Sequence, residues 1–342
     1  MKVTQRLIAA RCRVSQATVS RVLGGDSRVD SATRELVLDA IKAYNYKPDE
    51  RGRSLRQNRT NLVGLVVKRP PHGLQDDPFF ARLIAEITEY LSESPYHLCL
   101  DVVRSSSAQV SMYDDLLRTR RIDGLIMVEP VARDPRIEKL QAEGFPFVLI
   151  GNPLSFSDVV SVDNDNVHAS VIATQHLLDQ GFKNVGIVAG PEGVAFSDDR
   201  IEGYKRAIAR NDQAPLIWHS DFGNVEAYET GRQIFSSGSN VDGLVVLDDF
   251  MAMGVIQAAR VFNIDIPDEL GIVSFNDTAL CQLQEYGLSS VSLSIEQMVR
   301  ESCDRLLKVI ESGDVEGPRR YIVPCDLKAR GSSIRRREAV AR

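Results

Sequence analysis

The first 48 residues place apolar side chains every three or four positions, which is the spacing of short amphipathic helices. One predicted helix covers about Thr4 to Arg11. A second begins after Ser15, whose hydroxyl can accept a hydrogen bond from an N–H group of the first turn. Gly24-Gly25 end the second helix, Ser31 is placed to cap a third, and Pro48 is expected to stop it. The pattern therefore predicts a small all-α head.

From residue 61 onward, apolar runs alternate with amphipathic stretches, which indicates an α/β body with a mainly parallel sheet. The body is internally duplicated, because each half places a strand and a helix before an Asp-Gly-Leu strand. These strands are RIDGLIMVEP (121–130) and NVDGLVVLDD (240–249). Two lobes of similar strand order imply a cleft between them, and ligands bind at the carboxyl ends of such strands.

The segment DERGRSLRQNRT (49–60) contains four arginines and separates head from body. A helix predicted at about 294–312 follows the second lobe and is expected to return to the first. We therefore predict a helix-turn-helix domain at 1–48, a hinge at 49–60 and a two-lobed domain at 61–342. Lobe 1 is expected at about 61–161 and 291–325, and lobe 2 at about 162–290.

The second predicted helix has a polar face that contains no carboxylate. Its members are short or hydrogen-bonding side chains: Gln16, Ala17, Thr18, Ser20 and Arg21. A helix that enters the major groove of DNA must present such side chains and keep acids away from phosphates. By itself, the pattern also fits a small helical bundle with a solvated face.

The charge distribution favours the DNA-binding interpretation. Residues 1–60 hold 13 Lys and Arg against 6 Asp and Glu, a net of +7, so the rest of a chain whose net charge is −6 carries −13. A basic head on an acidic body indicates that the head meets a polyanion.

The chain shows no sign of export, metal binding or catalysis. Its five cysteines form no Cys-x-x-Cys pair and predict reduced thiols in a cytoplasm. We expect no signal peptide, membrane span, metal or cofactor. The five histidines are scattered, no nucleophile elbow is present, and GIVAGPEG lacks the Gly-x-Gly-x-x-Gly of a dinucleotide site.

Several motifs, in order, closely resemble the lactose-repressor (LacI/GalR) family of bacterial transcription regulators. They include VSQATVSRVLGG (14–25), RGRSLRQNRTNLVGLVV (51–67), SDDRIEGYKRAI (197–208) and VPCDLKARGSS (323–333). The resemblance covers nearly the whole chain. It implies a helix-turn-helix head and a periplasmic-binding-protein-like (type I) body. It also implies a dimer that binds a palindromic DNA operator and a small-molecule effector in the cleft.

The resemblance also assigns DNA-binding roles by position. Gln16 and Ala17 would select bases, Arg21 would add a third base contact, and Leu55 would enter the minor groove at a central step. Hydroxyls of the head would bind phosphates, and Tyr46 would pack or touch the DNA backbone. The full expected set is Thr4, Ser15, Gln16, Ala17, Thr18, Ser20, Arg21, Ser31, Tyr46, Arg53 and Leu55.

The chain departs from the family pattern at informative positions. Arg13 stands where the turn usually has glycine, so its backbone is strained if that turn requires a positive φ. Asn276 stands where the family usually has a sugar-binding aspartate, which leaves open an effector with an acidic group.

For the effector, the resemblance implies that Arg200 grips hydroxyls or a carboxylate and that aromatic rings line the cleft. Plain core packing is the alternative for each ring, and a helix N-cap is the alternative for Asp249. The expected set is Phe79, Phe80, Arg200, Phe222, Asp249 and Asn276.

Three interpretations of the function follow. The main one is a repressor controlled by a sugar or sugar derivative. One alternative is a nucleobase or sugar acid that acts as corepressor, and another is a solute-binding protein without a regulatory role. The tail SSIRRREAVAR lacks a leucine heptad, so we expect a homodimer and not a tail-zippered tetramer.

Overall fold

The computed structural model describes residues 3–46, 59–69, 74, 77–131, 133–211 and 213–335. The chain divides into two compact units, Met1–Thr60 and Asn61–Arg342. Arg53 and Leu55, which the sequence places on the DNA, lie outside the described residues.

The first unit contains three helices: α1 (Gln5–Cys12), α2 (Gln16–Leu23) and α3 (Ser31–Ala43). Their apolar faces meet in one small core that includes Ile8, Val19 and Val37, each 0% exposed. The third helix stops at Ala43, well before Pro48, because the chain turns through a left-handed residue at Asn45 (φ 46°). Local turn geometry thus ends this helix before the proline does.

The second unit contains two parallel six-stranded sheets, one in each lobe. Lobe 1 holds the sheet of order β11-β5-β4-β3-β1-β2, and lobe 2 holds the sheet of order β12-β10-β9-β8-β6-β7. Among the strands of the described residues, only β12 runs antiparallel to its neighbour. The strands of lobe 1 are β1 (Leu62–Lys68), β2 (His97–Val103), β3 (Gly124–Val128), β4 (Phe147–Ile150), β5 (Ser161–Asn164) and β11 (Arg320–Val323). The strands of lobe 2 are β6 (Val185–Ala189), β7 (Ile217–His219), β8 (Gly243–Val246), β9 (Gly271–Phe275), β10 (Ser289–Ser292) and β12 (Asp326–Lys328).

Helices cover the faces of both sheets, as parallel strands require. The helices of lobe 1 are α4 (Pro78–Ser92), α5 (Ser106–Thr119), α6 (Pro135–Ala142) and α12 (Ile295–Ser312). The helices of lobe 2 are α7 (Asn166–Asp179), α8 (Ala195–Ala209), α9 (Asn224–Ser236), α10 (Asp249–Val261) and α11 (Leu280–Leu283). The predicted return of the helix near 294–312 to the first lobe is confirmed, because α12 packs in the core of lobe 1.

Two glycines allow the helices of lobe 2 to approach closely. A Cβ on Gly203 of α8 would lie 2.1 Å from the carbonyl oxygen of Val167, and one on Gly254 of α10 would lie 2.1 Å from that of Asn224. No side chain fits at either distance, so the pairs α7–α8 and α9–α10 depend on glycine for their packing.

The chain crosses between the lobes three times, after β5, after β10 and after β11. One side chain joins all three crossings: the Asn164 amide donates to the carbonyl oxygens of Leu293, at 2.9 Å, and Val323, at 3.2 Å. The strand limits differ slightly from expectation, since β5 stays in lobe 1 as far as Asn164 and β10 stays in lobe 2 as far as Ser292.

Within the described residues, no helix combines the length and apolar character needed to cross a bilayer. All five cysteines are free thiols.

Candidate functional site

Helix α2 is fixed in the head by a cap at one end and apolar contacts along one side. The Ser15 hydroxyl accepts a hydrogen bond from the Thr18 N–H at 3.0 Å, which confirms the predicted cap. Val19 and Val22 face the core at 0% and 4% exposure. The opposite face of the helix is therefore held outward.

That outward face carries the side chains expected to select bases. Gln16, Ala17 and Arg21 are exposed, whereas Thr18 and Ser20 are half-buried. The Gln16 amide donates to the Gln5 side chain at 3.5 Å, so α1 helps to orient it. The stretch from residue 3 to residue 23 contains four arginines and no acid. Its surface can approach a phosphate backbone without carboxylate repulsion.

Other head residues have clear roles within the fold. Thr4 caps α1 by accepting from the Leu7 N–H at 3.3 Å, and Tyr46 is half-buried against the head core. The expected cap at Ser31 is wrong. Asp30 caps α3 by accepting from the Thr33 N–H at 2.9 Å, and Ser31 is the first residue of the helix, with an exposed side chain.

The turn between α1 and α2 contains a strained arginine. Arg13 adopts φ 54° and ψ 38°, and Val14 then donates its N–H to the Ala9 carbonyl at 3.0 Å to close α1. The expected positive φ is present. A side chain in this left-handed conformation costs about 1–2 kcal/mol.

In the body, polar side chains follow the strands at the edge where the two lobes meet, and the buried Arg200 lies on a helix of lobe 2. Arg200, on α8, is 3% exposed and donates from Nε to the Asn166 side chain at 3.0 Å and from Nη1 to the Leu247 carbonyl at 2.6 Å. Its guanidinium also lies 4.1 Å from the centre of the Phe275 ring. Both acceptors are uncharged, and burial lowers the pKa of Arg200 to about 10, so the group stays cationic at neutral pH.

The predicted aromatic residues fall into two groups. Phe222 is 36% exposed and stacks on Phe196 with ring centres 5.9 Å apart, so it has a face to offer a ligand. Phe80 is 2% exposed and lies in the core of lobe 1, beneath the Arg69 guanidinium at 4.1 Å. Phe79 is half-buried against the same core. The structure therefore places the ring of Phe80 in the core and not on an open surface.

Asp249 is neither the cap of α10 nor open to solvent. The cap is Asp248, which accepts from the Met251 N–H at 2.7 Å. Asp249 is 1% exposed and accepts from the hydroxyls of Ser274 and Ser290, at 2.5 and 2.7 Å, on strands β9 and β10. Its carboxylate thus links β9 and β10 to the first turn of α10 by hydrogen bonds.

Asn276 follows β9 in a left-handed conformation with φ 98° and is half-buried. Its N–H donates to the Val291 carbonyl at 2.9 Å, which leaves the side-chain amide out of the sheet bonding. Asp277 beside it pairs with Arg330 at 2.7 Å.

Lobe 1 contributes a charged group centred on Arg69, a residue that the sequence did not identify. Arg69 donates to both oxygens of Glu129, at 2.8 and 2.9 Å, and to Asp77 at 3.2 and 3.3 Å. Glu129 follows β3, and polar residues at strand ends were the available signal for it. Arg69 gave no such signal, because its importance depends on the two acids that fold beside it.

The two lobes touch each other directly. The Asn152 amide of lobe 1 donates to the Asp199 carboxylate of lobe 2 at 3.0 Å, and Val131 forms a β-bridge with Val194. A cavity of about 450 Å³ lies beside these contacts and is also lined by Asn166, the partner of Arg200. This cavity lies at the chain crossings, and none of the six residues expected to bind the effector lines it.

Asp248 has an unusual charge environment in this cleft. Burial, together with the smaller effect of the negative charge of Asp77 from lobe 1, raises its pKa to about 7. Burial also raises the pKa of Asp77 itself. Closing the lobes therefore favours protonation of these acids.

The closed body should lose stability progressively as the pH rises from about 4 to about 7. The pKa of Asp248 is raised from 3.8 to about 7, so its contribution is complete below pH 3.8 and disappears as the pH rises through about 7. In thermal melts, Asp248→Asn should show a smaller drop across this window, since asparagine keeps the cap without the charge.

The matched control is Glu311→Gln, which changes an exposed carboxylate on α12 and should melt like the wild type at each pH. An unchanged pH dependence in Asp248→Asn would show that another group is responsible.

Two family models match the chain. Residues 7–49 match the bacterial regulatory proteins of the lacI family, and residues 174–333 match the periplasmic binding protein-like domain. Among curated proteins, the HTH-type transcriptional regulator MalR of Streptomyces coelicolor is 30% identical over 341 residues, covering 95% of each chain. The regulator CelR of Thermobifida fusca is 29% identical over 334 residues, covering 96% of this chain and 98% of its own.

Solved structures agree over almost the full length. A CelR–cellobiose complex superposes with a TM-score of 0.75 at 28% identity, covering 96% of this chain and 99% of the other. The lac repressor dimer bound to operator and an anti-inducer has the same fold, with a TM-score of 0.83 at 22% identity, covering 98% and 100%. The chain belongs to the lacI family of bacterial regulatory proteins, which regulate transcription.

Proposed function

We propose that this protein is a transcriptional repressor that binds a palindromic operator as a homodimer and responds to a saccharide in its cleft. The acid-free outward face of α2, with Gln16, Ala17 and Arg21 exposed, carries the proposal. A rigid helix of this composition is suited to read base edges in the major groove. A solute-binding protein would have no use for such a head.

A neutral saccharide is the effector that the cleft favours. Arg200 is a buried cation whose two side-chain hydrogen bonds go to uncharged acceptors, so it can still bind hydroxyls. Arg69, the cation that lobe 1 brings to the site, is already paired with Glu129 and Asp77, which disfavours a sugar acid. The structure of the relative CelR with cellobiose supports this choice.

Regulation requires that the effector bind one lobe arrangement better than the other. We propose that it does so at the closed cleft and that residues 49–60 form the hinge, with Arg53 and Leu55 on the DNA. In this proposal the head covers residues 1–48 and the effector-binding and dimerisation domain covers 61–342. The protein acts in the cytoplasm and catalyses no reaction.

The direct test is a gel shift with the region upstream of the protein's own operon. Arg21→Ala should weaken binding by about 1–3 kcal/mol, or roughly 5- to 150-fold, because a bidentate arginine–guanine contact is lost. Arg118→Ala, an exposed arginine paired with Asp115 in the body, should bind like the wild type. If the wild-type protein binds no upstream fragment at low salt, with or without saccharides, the repressor proposal fails.

The effector is tested by thermal shift with cellobiose, maltose, ribose and gluconate. At least one neutral saccharide should raise the melting temperature and change the gel shift, because a ligand stabilises the form that it binds. Phe222→Ala, at a half-exposed ring, should reduce the shift without disturbing the fold, and Arg200→Ala should abolish it. Stabilisation by gluconate alone would favour the sugar-acid alternative.

The dimer is expected to use apolar side chains that lobe 2 leaves exposed. Val225 of α9 is 68% exposed, Val261 of α10 is 58% and Leu283 of α11 is 75%. We propose that a second copy of the chain covers them, because such large apolar side chains are the most exposed on lobe 2.

Leu283→Asp should therefore produce monomers in light scattering and weaken operator binding, since one head reads only half of a palindrome. Val110→Asp, at a 40% exposed valine of lobe 1, is the matched control and should remain dimeric. A dimeric Leu283→Asp would place the interface elsewhere.

A further inference from the structure

Arg13 occupies a position that its own backbone disfavours. Three residues in the described part of the head have a positive φ: Arg13 at 54°, Gly25 at 73° and Asn45 at 46°. Glycine and asparagine tolerate this conformation, whereas a long side chain does not. Nothing in the turn requires a side chain, because the backbone of residues 13 and 14 makes the bonds that close α1.

The charge of Arg13 has no partner that would compensate for this strain. Its side chain is exposed, and within residues 3–46 no ion pair joins it to a carboxylate. The nearest acid along the chain is Asp26, which is already paired with Arg28 at 2.8 Å. Arg13 is the C-cap of α1 and lies two residues before Ser15, the N-cap of α2, so its charge lies at the junction of the two helices.

The residues around Arg13 indicate which kind of ligand would compensate for its unpaired charge. The turn joins the two helices of an acid-free surface that includes the base-reading face of α2. Ser15, two residues later, begins that helix, so the arginine lies at the same end of α2 as Gln16 and Ala17. A phosphate placed there would pair with the charge of Arg13 and would lie near the N-terminal end of α2, where anions are favoured.

We propose that Arg13 binds a phosphate of the DNA backbone next to the bases read by α2. The strained turn therefore lowers the stability of the head, while the phosphate contact of Arg13 raises its affinity for DNA. The contact adds binding strength without sequence preference, because phosphates carry no sequence information. This inference rests on the proposed function.

The test measures the binding of full-length protein to two duplexes between about 50 and 200 mM salt. One duplex is the upstream fragment and the other is a scrambled sequence of the same length. Arg13→Gly should weaken binding to both by the same factor. It should also reduce the slope of log affinity against log salt by about 0.9 for each head on the DNA. Arg13→Lys should retain the wild-type slope.

The same Arg13→Gly protein should be more stable in the head, because glycine relieves the strain. Amide hydrogen exchange of α1 and α2 in the free full-length protein should therefore be slower than in the wild type. Loss of affinity in a variant with slower exchange cannot come from unfolding of the head.

Arg120→Gly is the matched control. Arg120 ends α5 in the body with φ 46° and is also exposed, so the substitution relieves the same strain far from the head in sequence. It should leave the salt slope unchanged. A wild-type slope in Arg13→Gly, or an equal loss in Arg120→Gly, would overturn the inference while the repressor proposal stands. Failure of the wild type to bind either duplex would overturn both.

Discussion

The relation between the two lobes depends on one buried amide. Asn164 donates to the carbonyl oxygens of Leu293 and Val323, so the three chain crossings are tied at a single point. The amide of Asn166, in the first crossing, donates to the Asn164 carbonyl and to Asp163, while its oxygen accepts from Arg200. Consecutive hydrogen bonds therefore connect the pivot of the lobes to the cation in the cleft.

The arginines on the two sides of the cleft have different kinds of hydrogen-bond partner. Arg69 in lobe 1 is neutralised by Glu129 and Asp77, whereas Arg200 in lobe 2 hydrogen-bonds only to uncharged oxygens. Burial of its carboxyl is the main reason that the pKa of Asp248 is raised to about 7, and the negative charges of Asp77 and Asp249 add to the rise. Closure therefore has an electrostatic cost that a polyhydroxylated ligand can offset by hydrogen bonding.

The charges of the chain are segregated for a related reason. Residues 1–60 carry a net charge of +7 and the remainder carries −13. A polyanion therefore attracts the basic head and repels the acidic body. Within the head, acids appear only from Asp26 onward, after α2 has ended. The surface that meets DNA is thus defined as much by where carboxylates are missing as by where arginines are present.

The sequence by itself determined the helices of the head, the Ser15 cap, the duplicated lobes and the positive φ at Arg13, because these follow from local spacing and turn chemistry. Only the tertiary structure decided between neighbours of similar chemistry. Asp30 and not Ser31 caps α3, and Asp248 and not Asp249 caps α10, while the ring of Phe80 lies in the core. In each case both candidates suit the local pattern. Side-chain direction decides the cap of α3, and contacts with strands distant in sequence decide the place of Asp249.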